Sequence, residues 1–361
     1  MKKILLTIVA LSCAALVSCG KSGAENGQET KSEMQTKVEE FASFKLTTDM
    51  SKLTDKEKEL VGIFLDIAEI MDNLFWLQSY GNKADMDTIA DQYAKEFAMI
   101  NYGPWERLNA MKPFVAGFGE KPLGAGFYPK DMTEEEFNAL KDEDKNSLYT
   151  VLRRDEQGKL IVKWYREEYA EQIGKVCGLL DKAIALAEDA GLKKYLQERK
   201  KAFETDDYFA SDMAWMDMKQ SRLDFVVGPI ENYEDRLFGR KAAYEAFVLV
   251  KDEEESAKLA KFTAMLPELQ KGLPCDEKFK QEVPGTESDL NVYDAIYYAG
   301  DCNSGSKTIA INLPNDERVQ LAKGARRLQL KNAMQAKFDK ILQPIANNVM
   351  SKEQLANVKF E

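Results

Sequence analysis

The sequence predicts an α+β fold: a mainly helical N-terminal part, a small β-sheet or barrel region, and a C-terminal helix. Three observations predict it. Apolar residues recur at helical spacing from Leu60 to Phe75 and again from Tyr169 to Ala187. Runs rich in β-branched and aromatic residues then cluster at Arg222 to Val227, Ala243 to Val250 and Thr308 to Leu313. From Asp316 the helical pattern returns. That order suits helices segregated around one sheet. A hydrophobic content of 44% with 31% charged residues fits a globular protein, and a net charge of -11 argues against nucleic acid as a partner. The chain has no histidine among its 361 residues. Ser-His-Asp triads, Cys-His pairs and imidazole-bound zinc are therefore chemistries these residues cannot build by themselves.

Residues 1–18 read as a targeting segment rather than as part of the fold. Lys2 and Lys3 precede an apolar stretch from Ile4 to Val17, too short for a comfortable membrane span. It ends in Leu16-Val17-Ser18-Cys19-Gly20, which resembles the lipobox of bacterial lipoproteins. That resemblance implies cleavage before Cys19, lipidation of its thiol, and a protein held at the bacterial cell envelope, facing the periplasm or the surface. Residues 19–40, rich in Gly, Ser, Glu, Lys and Gln, are expected to form a flexible tether.

The region 41–220 is read as mainly helical. Thr54-Asp55-Lys56-Glu57 is a capping box, and Leu60, Phe64, Ile67, Met71, Leu74 and Phe75 form the stripe behind it. A second helix covers Met86 to about Met99 and is broken by Gly103-Pro104. Trp105 to Phe114 reads as a short helix or loop. The Gly- and Pro-rich residues 117–130 read as loop and turn. Thr133 to Glu136 is another capping box. Leu148 to Arg153 and Lys159 to Tyr165 flank the turn Asp155-Glu156-Gln157-Gly158, which suggests a hairpin. Helices are expected from Glu167 to Glu188 and from Leu192 to Phe203.

The region 221–315 is β-rich, with a helix from Asp252 to Leu269 inserted and a further strand at Val292 to Ala299. The region 316–361 is read as helical, with Val319, Leu321, Leu328, Leu330, Met334, Phe338, Ile341 and Leu342 as core positions. Cys177, Cys275 and Cys302 lack metal-ligand spacing, and read as free thiols or as one Cys275–Cys302 disulfide.

Several motifs appear in order. Gly228-Pro229-Ile230-Glu231-Asn232-Tyr233-Glu234-Asp235-Arg236-Leu237-Phe238-Gly239 is followed by Tyr244-Glu245-Ala246-Phe247-Val248 and then by Ile311-Asn312-Leu313-Pro314-Asn315-Asp316-Glu317. They resemble the dipeptidyl peptidase III family, zinc exopeptidases that remove dipeptides from peptide N-termini. Its patterns are G-F-I-E-S-Y-R-D-P-F-G, F-E-G-F-V and I-N-I-P-N-Y-D-D. Ser211 to Asp217 and Gly324 to Asn332 are similar to its bacterial branch. The resemblance covers about 205 to 345 most clearly. It implies that these stretches line a cleft for short peptides. A carboxylate with amide carbonyls suits a peptide ammonium group. Asn312 and Asn315 fit the carbonyl role, Glu231 or Asp224 the carboxylate role, and Tyr233 can supply a hydroxyl near a carbonyl oxygen. The family carries two E-S-Y units in succession and this chain one. With Glu231-Asn232-Tyr233 matched to the second, Asp224 takes the place of the first glutamate and Val226 of its tyrosine. Glu231 with Tyr233 also reads as a structural pair beside a strand, and Asn312 to Asn315 as a strand end entering a helix N-cap.

Family members carry H-E-x-x-H on a helix, two imidazoles gripping zinc and a glutamate activating water. By the resemblance, that motif belongs C-terminal to the segment 331–345. No zinc ligand is identifiable here, and consecutive acids such as Glu134 to Glu136 or Glu253 to Glu255 cannot converge on one helix face. The expectation is an incomplete two-lobed metallopeptidase fold. It would hold the peptide-binding side, remain inactive alone, and be completed by a zinc-bearing segment or chain. A non-catalytic peptide-binding lipoprotein is the alternative.

Overall fold

A computed structural model describes residues 31–281 and 289–360. The signal segment and Cys19 lie outside the described residues. In chain order the helices are α1 (Glu33–Glu39), α2 (Asp55–Ser79), α3 (Gln92–Asn101), α4 (Glu134–Ala139), α5 (Tyr165–Glu168), α6 (Ala170–Leu186), α7 (Ala190–Thr205) and α8 (Phe209–Asp217). They continue as α9 (Glu253–Thr263), α10 (Leu266–Lys271), α11 (Glu317–Lys323), α12 (Lys331–Lys337), α13 (Gln343–Val349) and α14 (Lys352–Leu355). The strands are β1 (Trp105–Glu106), β2 (Lys112–Pro113), β3 (Thr150–Arg154), β4 (Leu160–Trp164), β5 (Leu223–Glu231), β6 (Ala243–Lys251), β7 (Asp289–Gly300), β8 (Ala310–Leu313) and β9 (Arg326–Leu330).

The core forms where α2 lies across β5, β6 and β7. Thr54 and Glu57 satisfy each other's backbone N–H groups in the anticipated capping box. The stripe Leu60, Phe64, Ile67, Met71, Leu74 and Phe75 is buried, and Phe64 stacks on Phe225 of β5 with ring centroids 4.3 Å apart. Every residue of β6 except its last is buried. Such a strand reads as a continuous apolar run rather than an alternating one. Burial of this kind contributes roughly 1.5–3 kcal/mol per large apolar side chain. The hairpin β3–β4 forms with the anticipated turn.

The five-stranded sheet has the order β5-β6-β7-β9-β8. β5–β6 and β6–β7 are antiparallel, β7–β9 is parallel, and among the described residues β8 pairs, antiparallel, with β9 alone. β8 is therefore an edge. β9 corrects the helical reading of 316–361. Leu328 and Leu330 are core residues, but on a strand. Their i, i+2 spacing puts both on one face of a pleated strand, a geometry a helix does not offer. Leu321, Ile341 and Leu342, expected in the core, are exposed. Trp105 to Phe114, read as a short helix or loop, contains the short β1–β2 pair. Glu33–Glu39, inside the expected tether, form α1, capped by Ser32 and tied to Glu106 through Lys37 at 2.9 Å. Cys177 and Cys302 are buried free thiols, and Cys275 is an exposed one. Among the described residues no helix is long and apolar enough to cross a membrane.

Candidate functional site

β5 delivers Asp224 to the interior, where it is 1% exposed. Its Oδ1 accepts from Trp215 Nε1 at 2.9 Å, and its Oδ2 lies 3.1 Å from Arg326 Nη2. Arg326 in turn donates to the Trp215 carbonyl at 2.9 Å and the Tyr293 hydroxyl at 3.1 Å, with its guanidinium 4.4 Å from the Trp215 ring. Asp224 is thus the counter-ion that allows a β9 arginine to be buried. In this arrangement its carboxylate faces the protein's own cation rather than solvent.

The end of β5 projects outward. Glu231 is half-buried and Tyr233 is 74% exposed. The Glu231 charge, with partial burial, pushes the Tyr233 hydroxyl up, so it remains a neutral donor. The loop that follows is fixed by two residues the sequence did not single out. Glu234, 2% exposed, accepts from Arg107 Nη1 at 2.7 Å and is also paired with Lys121. Burial opposes its charge, yet Lys121 and Arg107 hold the carboxyl below its usual range. Asp235 accepts from the Tyr128 hydroxyl at 2.8 Å and from the backbone N–H groups of Leu237, Phe238 and Arg240. Asn232 closes the loop onto the Gly239 carbonyl at 2.6 Å.

On β8, Asn312 is exposed between buried Ile311 and Leu313. The Leu313–Pro314 bond is cis. Asn315 then reaches back to β5, its Nδ2 donating to the Ile230 carbonyl at 3.3 Å. Asp316 caps α11 through the Arg318 N–H at 2.9 Å and pairs with the Arg318 side chain. Asn312 to Asn315 thus run from the end of β8 into the N-cap of α11, which is Asp316.

Beside Asn315 lies a cavity of about 440 Å³. β5 supplies Val226, Pro229 and Ile230, and the β8–α11 turn supplies Leu313 to Arg318. The remaining wall comes from Ser147 to Tyr149, from Tyr195 and Arg199 of α7, from Tyr208, and from Asp212 and Trp215 of α8. Arg199 of α7 is 6% exposed and donates to Asp212 of α8 at 2.6 Å. Burial, then the nearby Asp212 charge, pushes the Tyr149 hydroxyl up to about 12. Burial pushes Tyr195 up to about 12 as well, and that hydroxyl donates to the Phe225 carbonyl at 2.6 Å.

The structure thus brings Asn315 to the end of β5 and into the cavity wall. Glu231 and Tyr233 sit on the adjoining loop, Asn312 on the edge strand, and Asp224 behind Trp215. Sequence reasoning missed Arg199, Tyr208, Asp212 and Tyr149. A signal for Arg199 existed: it shares the stripe of Leu192, Tyr195, Leu196, Ala202 and Phe203, the buried face of α7.

Beneath the Glu231 loop, burial and the neighbouring Asp301 charge raise Glu245, and burial and the Glu234 charge raise Asp301. Asp206, which caps α7, is likewise pushed up by burial to about 6. A carboxyl whose folded value exceeds its unfolded value of about 3.9 binds more protons when folded. Its contribution is fully present below the unfolded value and is lost as pH rises through the folded one. Burial pushes the Lys241 amine down to about 7, so its own effect lies at higher pH. Thermal midpoints are therefore expected to rise as pH falls from roughly 6.5 to roughly 4.5. Asp206→Asn should flatten that rise while preserving the acceptor for Arg166, which approaches at 3.0 Å through its backbone N–H. A midpoint that falls over this interval would contradict the assignment.

Zinc does not fit the residues present. The sequence has no histidine, and among the described residues no group of three or more Cys, Asp or Glu is placed to hold a metal.

Comparison with known proteins gives a consistent family. The structure superposes on DPP III from Caldithrix abyssi with a TM-score of 0.84 and 43% identity, covering 89% of this chain and 63% of that one. Dipeptidyl-peptidase III from Corallococcus sp. strain EGB gives a TM-score of 0.81 and 36% identity, covering 90% and 63%. A plant protein named Nudix hydrolase 3, from Arabidopsis thaliana, is 30% identical over 93% of this chain and 51% of its own length. Human dipeptidyl peptidase 3 is 28% identical over 47% of this chain and 22% of its own. The chain spans about half the length of the plant relative and under two thirds of either bacterial enzyme. The sequence model for peptidase family M49 matches residues 126–358, the stretch that holds the hairpin, the five-stranded sheet and every candidate peptide-binding residue, and the chain belongs to that family.

Proposed function

We propose that these residues supply the peptide-binding side of a zinc-dependent dipeptidyl peptidase cleft. The observation that carries the reading is the meeting of Asn315 with the end of β5, beside both the open edge of β8 and the cavity. An extended peptide can add to a free sheet edge through its main chain, with side pockets supplying specificity. On this reading the side-chain carbonyls of Asn312 and Asn315 join the Glu231 carboxylate around the peptide's ammonium group, and Tyr233 meets a carbonyl oxygen. Asp224 acts from behind, by holding Arg326 and Trp215 in place. The zinc ligands come from polypeptide other than these 361 residues, and the chain alone is expected not to hydrolyse peptides.

The exposed apolar residues Leu342, Ile345, Val349 and Met350 on and around α13 support a partner surface there. Cys19 is proposed as the lipid-bearing residue that holds the protein at the bacterial cell envelope. Replacing it should abolish the mass added by lipid.

Calorimetric titration with a short peptide tests the central reading. Saturable binding is expected, weakened about tenfold by Asn315→Ala and by acetylating the peptide N-terminus, the order of one charge-assisted hydrogen bond. Glu231→Gln should weaken the free peptide and leave the acetylated one unchanged. Equal affinity for both peptides in the wild-type protein would remove Glu231 from the ammonium role. The same titration serves the reading of a non-catalytic peptide-binding lipoprotein, which differs only in needing no zinc-bearing partner.

A further inference from the structure

Glu231 and Tyr233 stand on the loop after β5, and Asn312 stands on β8. These are the outer strands of the five-stranded sheet, so its ladder does not join them, and the bond from Asn315 to Ile230 is exposed. The chain from Ile100 to Arg107, at the end of α3 and through β1, reaches both arms. Tyr102 caps α3 with φ 52° and ψ 46°, a left-handed backbone that a bulky residue keeps only where its surroundings hold it. Its buried ring lies 4.9 Å from Phe75 and 5.0 Å from Trp76 between centroids. Its hydroxyl donates to Asp72 of α2 and accepts from Asn303 Nδ2 at 2.7 Å. The same Asp72 oxygen accepts the backbone N–H of Gly300, the last residue of β7, at 3.2 Å. The Ile100 carbonyl accepts from the Gly305 N–H at 2.8 Å. The turn that leads from β7 toward β8 is thus pinned at Gly300, Asn303 and Gly305.

Arg107 serves the other arm. Its backbone N–H donates to Asn101 Oδ1 at 2.9 Å and its Nε to the Asn101 carbonyl at 2.7 Å. Its Nη1 donates to Glu234, the residue after Tyr233, at 2.7 Å. Its side chain also lies against the pinned turn, where a Cβ on Gly305 would stand 3.4 Å from Arg107 Cβ. Buried polar groups bonded to one another in this way act as a unit, and a contiguous set of such contacts is what transmits a shift from one place to another. Any movement of residues 100–107 is passed to Glu231 and Tyr233 through Glu234, and to Asn312 through the turn.

We propose that Tyr102 and Arg107 are positioning residues for the peptide cleft: they hold the Glu231 loop and the Asn312 strand at one separation, so that a single peptide N-terminus meets both. The role in binding rests on the peptide-binding reading; the shared support of the two arms does not.

Two measurements on the full chain separate these layers. The first is hydrogen exchange read by mass spectrometry without ligand. Tyr102→Phe keeps the ring and loses both hydroxyl bonds, and exchange across residues 301–313 should rise about fivefold or more. Asn303→Ala removes the same bond from a partly exposed position and should act alike, which covers a Tyr102→Phe protein that fails to fold. Arg107→Met should raise exchange across residues 231–239. The second is calorimetry with tetra-alanine, well below the unfolding temperature. Tyr102→Phe and Asn303→Ala should each weaken binding about fivefold, the order of one hydrogen bond. In either background the effect of Asn312→Ala should shrink about threefold while that of Glu231→Gln stays whole, the signature of coupled and uncoupled pairs. A merely structural role would lower the thermal midpoint and leave these ratios as they were. Unchanged exchange across 301–313 in the folded variants overturns the proposal, and if the wild-type protein binds tetra-alanine the peptide-binding reading still stands. Raised exchange with unaltered peptide affinity also overturns it. Raised exchange in the variants, with no peptide bound by the wild type, sustains the shared support and removes the peptide reading.

Discussion

Replacing Arg326 with methionine is expected to cost about 3–5 kcal/mol of folding stability, the scale for stranding one charge of a buried pair. Arg326 is 2% exposed and Asp224 is 1% exposed, so no water is available to take up the orphaned carboxylate. The substitution also removes the donors to the Trp215 carbonyl and the Tyr293 hydroxyl. Urea unfolding followed by tryptophan fluorescence and by circular dichroism would measure the loss, and Trp215 reports locally because the guanidinium rests against its ring. The double variant Asp224→Asn with Arg326→Met should recover at least half of the stability, since an amide still accepts from Trp215 and no charge is left. A single variant as stable as the wild type would mean that the pair contributes nothing net, and Asp224 would then be free for another role.

Glu234→Gln is expected to be of similar size, about 3–5 kcal/mol, because one carboxylate serves two buried cations. Its side chain is 1% exposed, and those of Lys121 and Arg107 are 4% and 9%. Burial already pushes the Lys121 amine down against the pull of Glu234. Without that carboxylate the amine should lose its proton at lower pH. The deficit of the variant should therefore shrink as pH rises, the opposite sign to the carboxyl effect expected near pH 6. Chemical denaturation at pH 7 and pH 9 would show it, and a deficit independent of pH would point to lost hydrogen bonds alone. The loop from Glu231 to Asp235 would loosen at the same time, so peptide affinity should fall with stability.

Elements with strong periodicity were legible in the sequence. The capping boxes at Thr54 and Thr133, the stripe of α2 and the β3–β4 turn carry their signals within a few residues. The Asn312–Asn315 motif was readable as a strand end and N-cap for the same reason. β9 was not. Its alternation Arg326, Leu328, Leu330 facing inward has period two, but its first inward residue is an arginine, which reads as surface until Asp224 is known to face it. That partner lies on a strand far away in sequence. Arg199 sits on a legible stripe of α7, but the reason an arginine is tolerated there, the Asp212 carboxylate of α8, is not visible from that stripe. Local signals report hydrogen bonding along the chain; a buried charge is explained only by a contact the chain makes with itself at long range.

The order β5-β6-β7-β9-β8 sets a constraint on how the protein is made. β8 leaves the ribosome before β9, yet β9 separates it from β7 and is its sole strand partner among the described residues. At synthesis rates of about 5–20 residues per second, the strand bearing Asn312 waits unpaired until residues 326–330 have emerged. Ile311 and Leu313, buried in the finished protein, stay uncovered over the same interval. Any delay in translation just after residue 313 prolongs the time during which the edge strand can pair with the wrong chain.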